Sequence, residues 1–446
     1  MPFTVVSTRG PFSHERVGGT YRIRYSAGGV SSSIGRLMDH EGGTWVCLGD
    51  GSGDQAFEVE DHGNYRISRV IIGRKETRGF YEGYANSTLW PLFHYFRERV
   101  NYNQTNFMYY EIVNKLFAET VKRNIDANTT IWVHDYQLAL LPGMLRNDGI
   151  KNRIIFSWHI PWVSPEFFSL LPESRQLIQG IARADAITVH TDWYKTNFVN
   201  SYRFVTGSDD SIDSRVFHIP LGIDSRYYAS KAKHAHYPLD RRDRKLIFSV
   251  DRLDYTKGLV NRVLAVEKLL SLYPDLAEKF IYVMAVNPSR ASVRQYQIFR
   301  RELEFHIGRI NGEFGNVNWM PIVYMYKRLG ESSLISFYRH ADVALVTPLS
   351  DGLNLVSKEF VACTNDGVLI LSKFAGAAQD LKGAVIVNPN SLEEMANAIR
   401  QALTMNAEER AQRLAMMKGN VEKKNLTWWL NRVRALAARK LHEDSS

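Results

Sequence analysis

Short hydrophobic runs alternate with amphipathic segments along almost the whole chain. Such runs, rich in Val, Ile and Phe and bounded by polar turns, are typical of buried strands, whereas apolar residues repeating every three to four positions indicate helices. The predicted strands cover 3–7, 44–48, 130–133, 153–157, 186–190 and 215–219, then 245–250, 280–286, 317–323, 343–346, 368–371 and 384–387. Predicted helices follow most of them. A polar loop is expected after the first strand, and the polar, basic stretch 225–244 is expected to be the linker between two domains. This β-α alternation predicts an α/β fold with two doubly wound parallel sheets.

The most informative stretch is 248–259, where a buried strand ends and a helix begins. Arg252 and Lys257 lie in the polar turn, and Gly258 opens an amphipathic helix over 259–272. In open α/β sheets, ligands bind outside the carboxyl ends of the strands, and a helix N-terminus adds backbone donors. Two cations in this position suit a diphosphate. The alternative is a surface Arg and Lys on a solvated loop.

A second stretch, 350–359, also follows a predicted strand. Asp351 is a reasonable helix N-cap, and Gly352 allows a ligand to approach the backbone closely. Glu359 lies about two turns into the predicted helix, where a carboxylate could accept hydrogen bonds from sugar hydroxyls. Taken alone, Asp351 is better explained as a cap than as a ligand.

The first half of the chain carries polar groups at strand ends as well. Asp135 and His159 follow two successive predicted strands, so both should face one crevice. The glycine pair Gly28 and Gly29, between a strand and a helix, is by itself a weak phosphate-loop signal. The aromatic-dense segment 79–91 is mostly explained as a core helix.

Composition narrows the class of protein. Hydrophobic content of 45% and charged content of 23% are ordinary for a soluble globular protein. The net charge of +9 is dispersed along the chain, which favours anionic small substrates over nucleic acid. The two cysteines, Cys47 and Cys363, form no disulfide framework or zinc motif, and no apolar run is long enough to span a membrane. The N-terminus resembles a strand rather than a signal peptide, so we expect a cytoplasmic protein.

Four segments resemble signature motifs of the trehalose-6-phosphate synthase family. They are Val-Asp-Arg-Leu-Asp-Tyr-Thr-Lys-Gly-Leu at 250–259, Asp-Gly-Leu-Asn-Leu-Val-Ser-Lys-Glu at 351–359, His-Asp-Tyr-Gln at 134–137 and His-Ile-Pro-Trp at 159–162. The resemblance is collinear over almost the whole chain. It implies the GT-B fold, in which two Rossmann-like domains face each other across a cleft. On this basis the expected divisions are an N-terminal acceptor domain (1–228), a C-terminal nucleotide-sugar domain (229–426) and a last helix (427–446) that packs back on the N-terminal domain.

The resemblance also implies roles for individual residues. On the donor side, Arg252 and Lys257 would hold the diphosphate, Asp351 the glucose hydroxyls and Glu359 the ribose. The other implied donor contacts are Gly28, Gly29, Gly352, Leu353, Asn354, Leu355 and Val356. On the acceptor side, Arg9, Tyr81, Trp90 and Arg290 would hold a phosphate and Asp135 the sugar hydroxyls. His159 would contact the transferred sugar, and Asp135, His159, Arg252, Lys257 and Asp351 form the expected catalytic set.

The implied reaction is glucosyl transfer with retention from a nucleotide-glucose, expected to be UDP-glucose, to glucose 6-phosphate. No cofactor and no metal are expected, because two cations can neutralise the diphosphate. The nearest alternative is a relative with another phosphorylated acceptor, such as a glucosylglycerol-phosphate synthase or a pseudo-glycosyltransferase; a different class is an inactive sugar-phosphate sensor. Thr8 replaces the Asn usual in the family's opening motif, which weakens the acceptor-side match. The motifs record neither the nucleotide base nor the oligomeric state, so a homo-oligomer stays open.

Overall fold

The computed structural model describes residues 2–26, 29–208, 211–237, 239–240, 243–289 and 294–439. Its contacts divide the chain into two compact units. The first contains Met1–Leu221 together with the described residues from Trp428 onward, and the second contains Gly222–Thr427. The first unit is therefore assembled from both ends of the described chain.

An eight-stranded sheet forms the centre of the first unit, in the order β10-β9-β8-β7-β1-β4-β6-β5. All neighbouring strands are parallel except β5 and β6. A separate antiparallel hairpin pairs β2 with β3. The strands are β1 (Phe3–Val6), β2 (Phe12–Val17), β3 (Thr20–Tyr25), β4 (Gly43–Leu48), β5 (Val59–His62), β6 (Tyr65–Val70), β7 (Thr130–His134), β8 (Ile154–Ser157), β9 (Ala186–Val189) and β10 (Val216–His218).

The second unit has a six-stranded, fully parallel sheet in the order β13-β12-β11-β14-β15-β16. Its strands are β11 (Lys245–Arg252), β12 (Phe280–Asn287), β13 (Ile322–Met325), β14 (Val343–Val346), β15 (Val368–Ser372) and β16 (Val385–Val387). Most strands of both sheets are buried nearly end to end, as parallel strands covered by helices on both faces must be. The predicted pair of doubly wound parallel sheets is confirmed.

Helices connect the strands throughout. In chain order they are α1 (Gly29–Glu41), α2 (Arg74–Thr77), α3 (Trp90–Phe93), α4 (Gln104–Arg123), α5 (Leu141–Asn147), α6 (Pro165–Phe168), α7 (Ser174–Ala182), α8 (Asp192–Thr206), α9 (Ser225–Lys233), α10 (Leu259–Leu272), α11 (Arg294–Phe314), α12 (Glu331–His340), α13 (Leu355–Cys363), α14 (Leu392–Thr404), α15 (Ala407–Lys423) and α16 (Leu426–Ala438). Between α2 and α3, Arg78–Leu89 winds as a π-helix. Residues 74–93 therefore form one nearly continuous helical rod where the sequence predicts a core helix.

The structure differs from the sequence prediction in three places. The expected polar loop after β1 contains the β2–β3 hairpin. The expected linker 225–244 begins with α9, whose Ala232 is buried in the core of the second unit, and the contacts divide the chain after Leu221. The strand expected at 317–323 begins only at Ile322, because Asn316–Trp319 forms a tight turn that leaves Val317 fully exposed.

Candidate active site

The first unit gathers predicted site residues at one edge of its sheet. Arg9 follows β1, Asp135 follows β7 and His159 follows β8. These three strands are parallel and adjacent in the sheet order. Their carboxyl ends therefore meet at the same edge, where open α/β sheets bind their ligands.

Asp135 adopts a conformation that non-glycine residues rarely take, with φ 72°. Its carboxylate oxygen Oδ1 accepts hydrogen bonds from the backbone N–H of Tyr136 at 3.0 Å and of His159 at 3.1 Å. Burial nevertheless raises the pKa of Asp135 to about 7, because removal from water disfavours the charged form more than the two N–H groups favour it. The side chain is thus held by two strand ends and titrates near neutral pH.

Three histidine rings form a hydrogen-bonded chain beside Asp135. His159 Nε2 lies 2.9 Å from His134 Nδ1, and His159 Nδ1 lies 3.0 Å from His190 Nε2. The backbone N–H of Leu221 donates to His190 Nδ1 at 3.4 Å, which assigns the proton of His190 to Nε2 and, ring by ring, the proton of His159 to Nε2. Burial lowers the pKa of His159 to about 3, so its ring stays neutral. A hydrogen bond from this ring to a sugar would require one of these bonds to break.

The π-helical segment brings the aromatic candidates to the same region. Arg9 Nη2 donates to Tyr81 Oη at 2.9 Å, so these two predicted acceptor residues are in direct contact. Trp90, at the start of α3, is buried and lies 5.9 Å from the ring of Tyr136, which directly follows Asp135. Tyr136 Oη in turn donates to Asn86 in the π-helix at 3.1 Å. A π-helical stretch of this kind is frequent at functional sites.

Two predicted residues lie outside the described residues: Gly28 of the glycine pair and Arg290 after β12. Gly29 is the first residue of α1, at the helix N-terminus as the sequence predicts. Their roles stay predictions.

In the second unit, the two signature stretches meet at the carboxyl edge of the sheet. Lys257 Nζ lies 2.6 Å from Asp351 Oδ2, with both side chains largely shielded from water. The backbone carbonyl of Thr256, in the turn before Lys257, accepts a hydrogen bond from Leu349 N–H at 2.8 Å. Arg252 ends β11, whose neighbours in the sheet are β12 and β14. The two signature motifs are therefore in direct contact.

Arg262 is a buried residue of this region that sequence reasoning missed. Its guanidinium pairs with Asp251 at 2.7 Å, donates from Nη2 to the carbonyl of Lys257 at 2.9 Å and from Nε to Thr347 Oγ1 at 3.1 Å. It therefore ties the end of β11, the Lys257 turn and the end of β14 together. The available signal was a cation between Leu259 and Val263, on the buried side of α10.

Gly258 is required by the same packing. Its φ is +64°, and a Cβ there would meet the carbonyl oxygen of Thr347 at 2.5 Å. Only glycine meets both conditions. The Lys257 turn is thus fixed closely against the end of β14.

The predicted cap of α13 is corrected. Asn354, not Asp351, is the N-cap: its side chain accepts from Ser357 N–H at 3.0 Å, with φ 79°. Asp351 instead accepts from Leu353 N–H at 3.3 Å and from Asn354 Nδ2 at 3.1 Å, besides pairing with Lys257. Gly352 and Leu353 are buried in this loop, and Leu355 and Val356 are the first, half-buried residues of the helix.

Glu359 lies in α13 with one phenol on each carboxylate oxygen. Tyr228 of α9 donates to Oε1 at 3.0 Å, and Tyr338 of α12 donates to Oε2 at 3.1 Å. Neither tyrosine lies in a motif that the sequence analysis singled out. A cavity of about 380 Å³ in the same unit is lined by Leu253, Tyr296, Gln297, Arg300, Arg301, Glu304 and Tyr326.

Two searches of the described residues complete the geometry. Within the part of the chain that the structure describes, no cluster of three or more His, Cys, Asp or Glu side chains could hold a metal ion. No helix among the same residues is long and apolar enough to cross a membrane.

Comparison with known proteins assigns the chain to a family. The model for glycosyltransferase family 20 matches residues 2–438. The trehalose-6-phosphate synthase of Klebsiella pneumoniae is 36% identical over 91% of this chain and 90% of its own length. The bifunctional trehalose-6-phosphate synthase/phosphatase of Thermoproteus tenax is 36% identical over 96% of this chain, which spans only 62% of that longer protein.

Solved structures agree with this assignment. The trehalose-6-phosphate enzyme of E. coli, bound with UDP-2-fluoro glucose, superposes with a TM-score of 0.89 at 32% identity, covering 99% of this chain and 100% of that one. An α,α-trehalose-phosphate synthase (UDP-forming) from Burkholderia xenovorans, in complex with glucose-6-phosphate, gives a TM-score of 0.88 at 32% identity, covering 98% and 100%. The chain has the GT-B fold of these enzymes and belongs to glycosyltransferase family 20.

Proposed function

We propose that this chain is a retaining glucosyltransferase that transfers glucose from UDP-glucose to glucose 6-phosphate and forms α,α-trehalose 6-phosphate. The observation that carries the proposal is the ion pair between Lys257 Nζ and Asp351 Oδ2, which are 2.6 Å apart beyond strand ends of the second unit. Lys257 follows Arg252, the second proposed diphosphate ligand, by five residues. Membership of family 20 and the substrates named for its solved relatives support the choice of donor and acceptor.

The second unit is the proposed nucleotide-sugar unit. Arg252 and Lys257 hold the diphosphate, and Asp351 accepts from glucose hydroxyls once Lys257 turns to the phosphate. Backbone N–H groups at the start of α13, from Gly352 to Val356, add donors that need no reorganisation. Glu359 accepts from the ribose hydroxyls.

The first unit is the proposed acceptor unit. Arg9, Tyr81 and Trp90, together with Arg290, bind the acceptor phosphate, since guanidinium, phenol and indole groups all donate hydrogen bonds. Asp135 orients the acceptor hydroxyls, the His159 segment lies against the transferred sugar, and Gly28 and Gly29 lie against the donor diphosphate. The protein acts in the cytoplasm, where nucleotide sugars are available.

The proposed mechanism is based on where charge develops in the transition state of glucosyl transfer. Cleavage of the glycosidic bond leaves an oxocarbenium-like sugar and a negatively charged diphosphate. Fixed cations at that diphosphate stabilise the transition state more than the ground state, which is the efficient placement. The acceptor hydroxyl attacks the anomeric carbon from the face that the diphosphate leaves. The new glycosidic bond forms as the bond to the diphosphate breaks, and the hydroxyl proton passes to the departing phosphate oxygen, so the anomeric configuration is retained.

The direct test is a matrix of UDP-, GDP- and ADP-glucose against glucose 6-phosphate, glycerol 3-phosphate and unphosphorylated glucose, with products identified by mass. We expect UDP-glucose with glucose 6-phosphate to dominate, with glucose at least about 100-fold poorer because two or more charge-assisted hydrogen bonds are lost. Activity should survive EDTA, because the cation pair supplies the neutralising charge. Equal use of glucose and glucose 6-phosphate, or transfer only to glycerol 3-phosphate, would overturn the acceptor assignment.

A further inference from the structure

Glu359 accepts hydrogen bonds from two tyrosines that lie on two different helices. Tyr228 reaches Oε1 from α9 and Tyr338 reaches Oε2 from α12, at 3.0 and 3.1 Å. The two hydroxyls lie on opposite oxygens, so rotation of the carboxylate would break both bonds. The side chain is therefore fixed in one plane relative to α13.

Both phenols act as donors. Burial and the neighbouring Glu359 charge raise the pKa of Tyr338 well above its ordinary value, so its hydroxyl stays protonated. An ionised carboxylate is an acceptor only, and each of its oxygens can accept more than one hydrogen bond. Any ligand group that meets these oxygens must donate a hydrogen bond.

The tyrosines themselves are rigidly placed. Tyr338 is only 1% exposed, and its ring meets Phe248 of β11 edge-on with centroids 5.9 Å apart. The backbone carbonyl of Tyr228 faces Cys363 Sγ of α13 at 3.8 Å, so this residue is also anchored to the helix that carries Glu359. The carboxylate thus has a preorganised support.

We propose that Tyr228 and Tyr338 determine donor specificity by holding Glu359 as a fixed double acceptor for the two adjacent hydroxyls of a ribose. This inference rests on the proposed function, in which Glu359 meets the donor ribose. A vicinal diol supplies one donor to each oxygen, whereas a 2′-deoxyribose supplies one in total. Sites built to bond a hydroxyl discriminate strongly against the analogue that lacks it, because a buried polar group loses its partner.

The test measures the dissociation constants of UDP and 2′-deoxy-UDP by calorimetry in the full chain and its variants. In the wild type we expect UDP to bind about 10–100-fold more tightly, the range for a lost hydrogen bond to a charged group. Tyr228→Phe and Tyr338→Phe should each reduce that ratio several-fold, and Glu359→Gln should bring it near one. The ratio is the informative quantity, since a merely structural change weakens both ligands alike.

Tyr227→Phe is the matched control. Tyr227 is the neighbouring residue on α9, and its hydroxyl donates to the carboxylate of Glu331 at 2.7 Å, away from Glu359. This substitution removes a Tyr–Glu hydrogen bond of the same kind from the same helix. The UDP to 2′-deoxy-UDP ratio should stay at the wild-type value.

The binding data distinguish three claims: the role of the tyrosines, the ribose contact of Glu359 and the proposed function. A wild-type preference for UDP that both Phe variants retain would reject the role of the tyrosines and leave the ribose contact of Glu359 standing. Equal binding of the two nucleotides by the wild type would reject that contact and the inference with it. Failure of the wild type to bind either nucleotide or to transfer glucose would reject the proposed function. Because the tyrosines lie on separate helices, unfolding of one variant still leaves the other to decide.

Discussion

The raised pKa of a single residue, Asp135, predicts that catalytic activity depends on pH. In its proposed role the carboxylate must be ionised to accept hydrogen bonds from acceptor hydroxyls, and burial raises its pKa to about 7. We therefore expect kcat/KM for the acceptor to fall as pH drops from about 8 to 6. The acceptor phosphate also titrates near pH 6. The Asp135→Asn variant should have lower activity overall, with only the phosphate's limb left in its pH profile.

The same group affects stability with a definite sign. A carboxyl whose folded-state pKa is raised contributes stability that is fully present below its unfolded pKa and is lost as pH rises through the folded pKa. The free energy of unfolding should thus decrease between about pH 4 and 7, and this decrease should be smaller in Asp135→Asn. Identical pH slopes for wild type and variant in denaturant melts would contradict the raised pKa.

Both cations of the second unit should be needed for turnover. Arg252→Ala should lower kcat by about 10²–10³, the loss typical of a preorganised charge-stabilising group. Lys257→Ala should show a similar kinetic loss together with destabilisation, because it removes the ammonium group that lies 2.6 Å from the shielded Asp351 carboxylate. The measurements are steady-state kinetics and thermal melts. Near-normal turnover in both variants would reject the diphosphate assignment, and Lys257→Ala with Asp351→Asn should restore stability without activity.

The residue that caps the N-terminus of helix α13 also has a strained backbone conformation. Asn354 caps the helix at φ 79°, where a Cβ is costly. Asn354→Ala should cost about 2 kcal/mol or more, since it loses the cap and keeps the strain, whereas Asn354→Gly should cost well under 1 kcal/mol. The check is the free energy of unfolding from denaturant titration.

Asn406 is a suitable control because it caps α15 in the same way, with Glu409 N–H at 2.8 Å, but at φ −68°. There the difference between the Ala and Gly variants should be smaller by about 1 kcal/mol or more. An equal difference at both caps would show that strain at Asn354 has no energetic weight.

The same elements show which parts of the molecule a sequence can predict. The central parallel strands are nearly continuous apolar runs, so their positions and the groups at their ends, such as Asp135 and Lys257, follow from pattern alone. The β3 strand alternates Tyr21, Ile23 and Tyr25 with polar residues, so its pattern was open to a strand prediction even though every position is exposed. By contrast, α9 is rich in Lys and Ser and carries only a weak apolar pattern. The partners of Glu359 come from 131 and 21 residues away, a proximity that only the packed fold creates.

The stability of the first unit depends on residues from the far end of the described chain. Trp429 of α16 is 1% exposed and packs against Trp132 of β7 with ring centroids 4.9 Å apart. Trp429→Ala should destabilise the protein by about 3–5 kcal/mol, as large-to-small changes in a core do. Differential calorimetry should show the loss in the transition of the first unit.

Trp193 provides the comparison, since it belongs to the same unit and is 71% exposed. Its replacement by Ala should change stability by no more than about 0.5 kcal/mol. Comparable losses from the two tryptophans would mean that α16 contributes no more to the first unit than a surface residue does.

The ion pair between Lys257 and Asp351 places a carboxylate of the protein itself against the cation proposed to bind the diphosphate. Because this carboxylate is tethered, it acts as an intramolecular competitor at high effective concentration against any phosphate that arrives. Under the proposed function, free inorganic phosphate, which brings no sugar or base contacts, would be selected against, while a complete nucleotide sugar would displace the carboxylate and give it sugar hydroxyls to bind. After transfer those hydroxyls would leave with the product, and the return of Asp351 to Lys257 would help to expel the spent nucleotide. In that role the pair favours turnover over tight product binding.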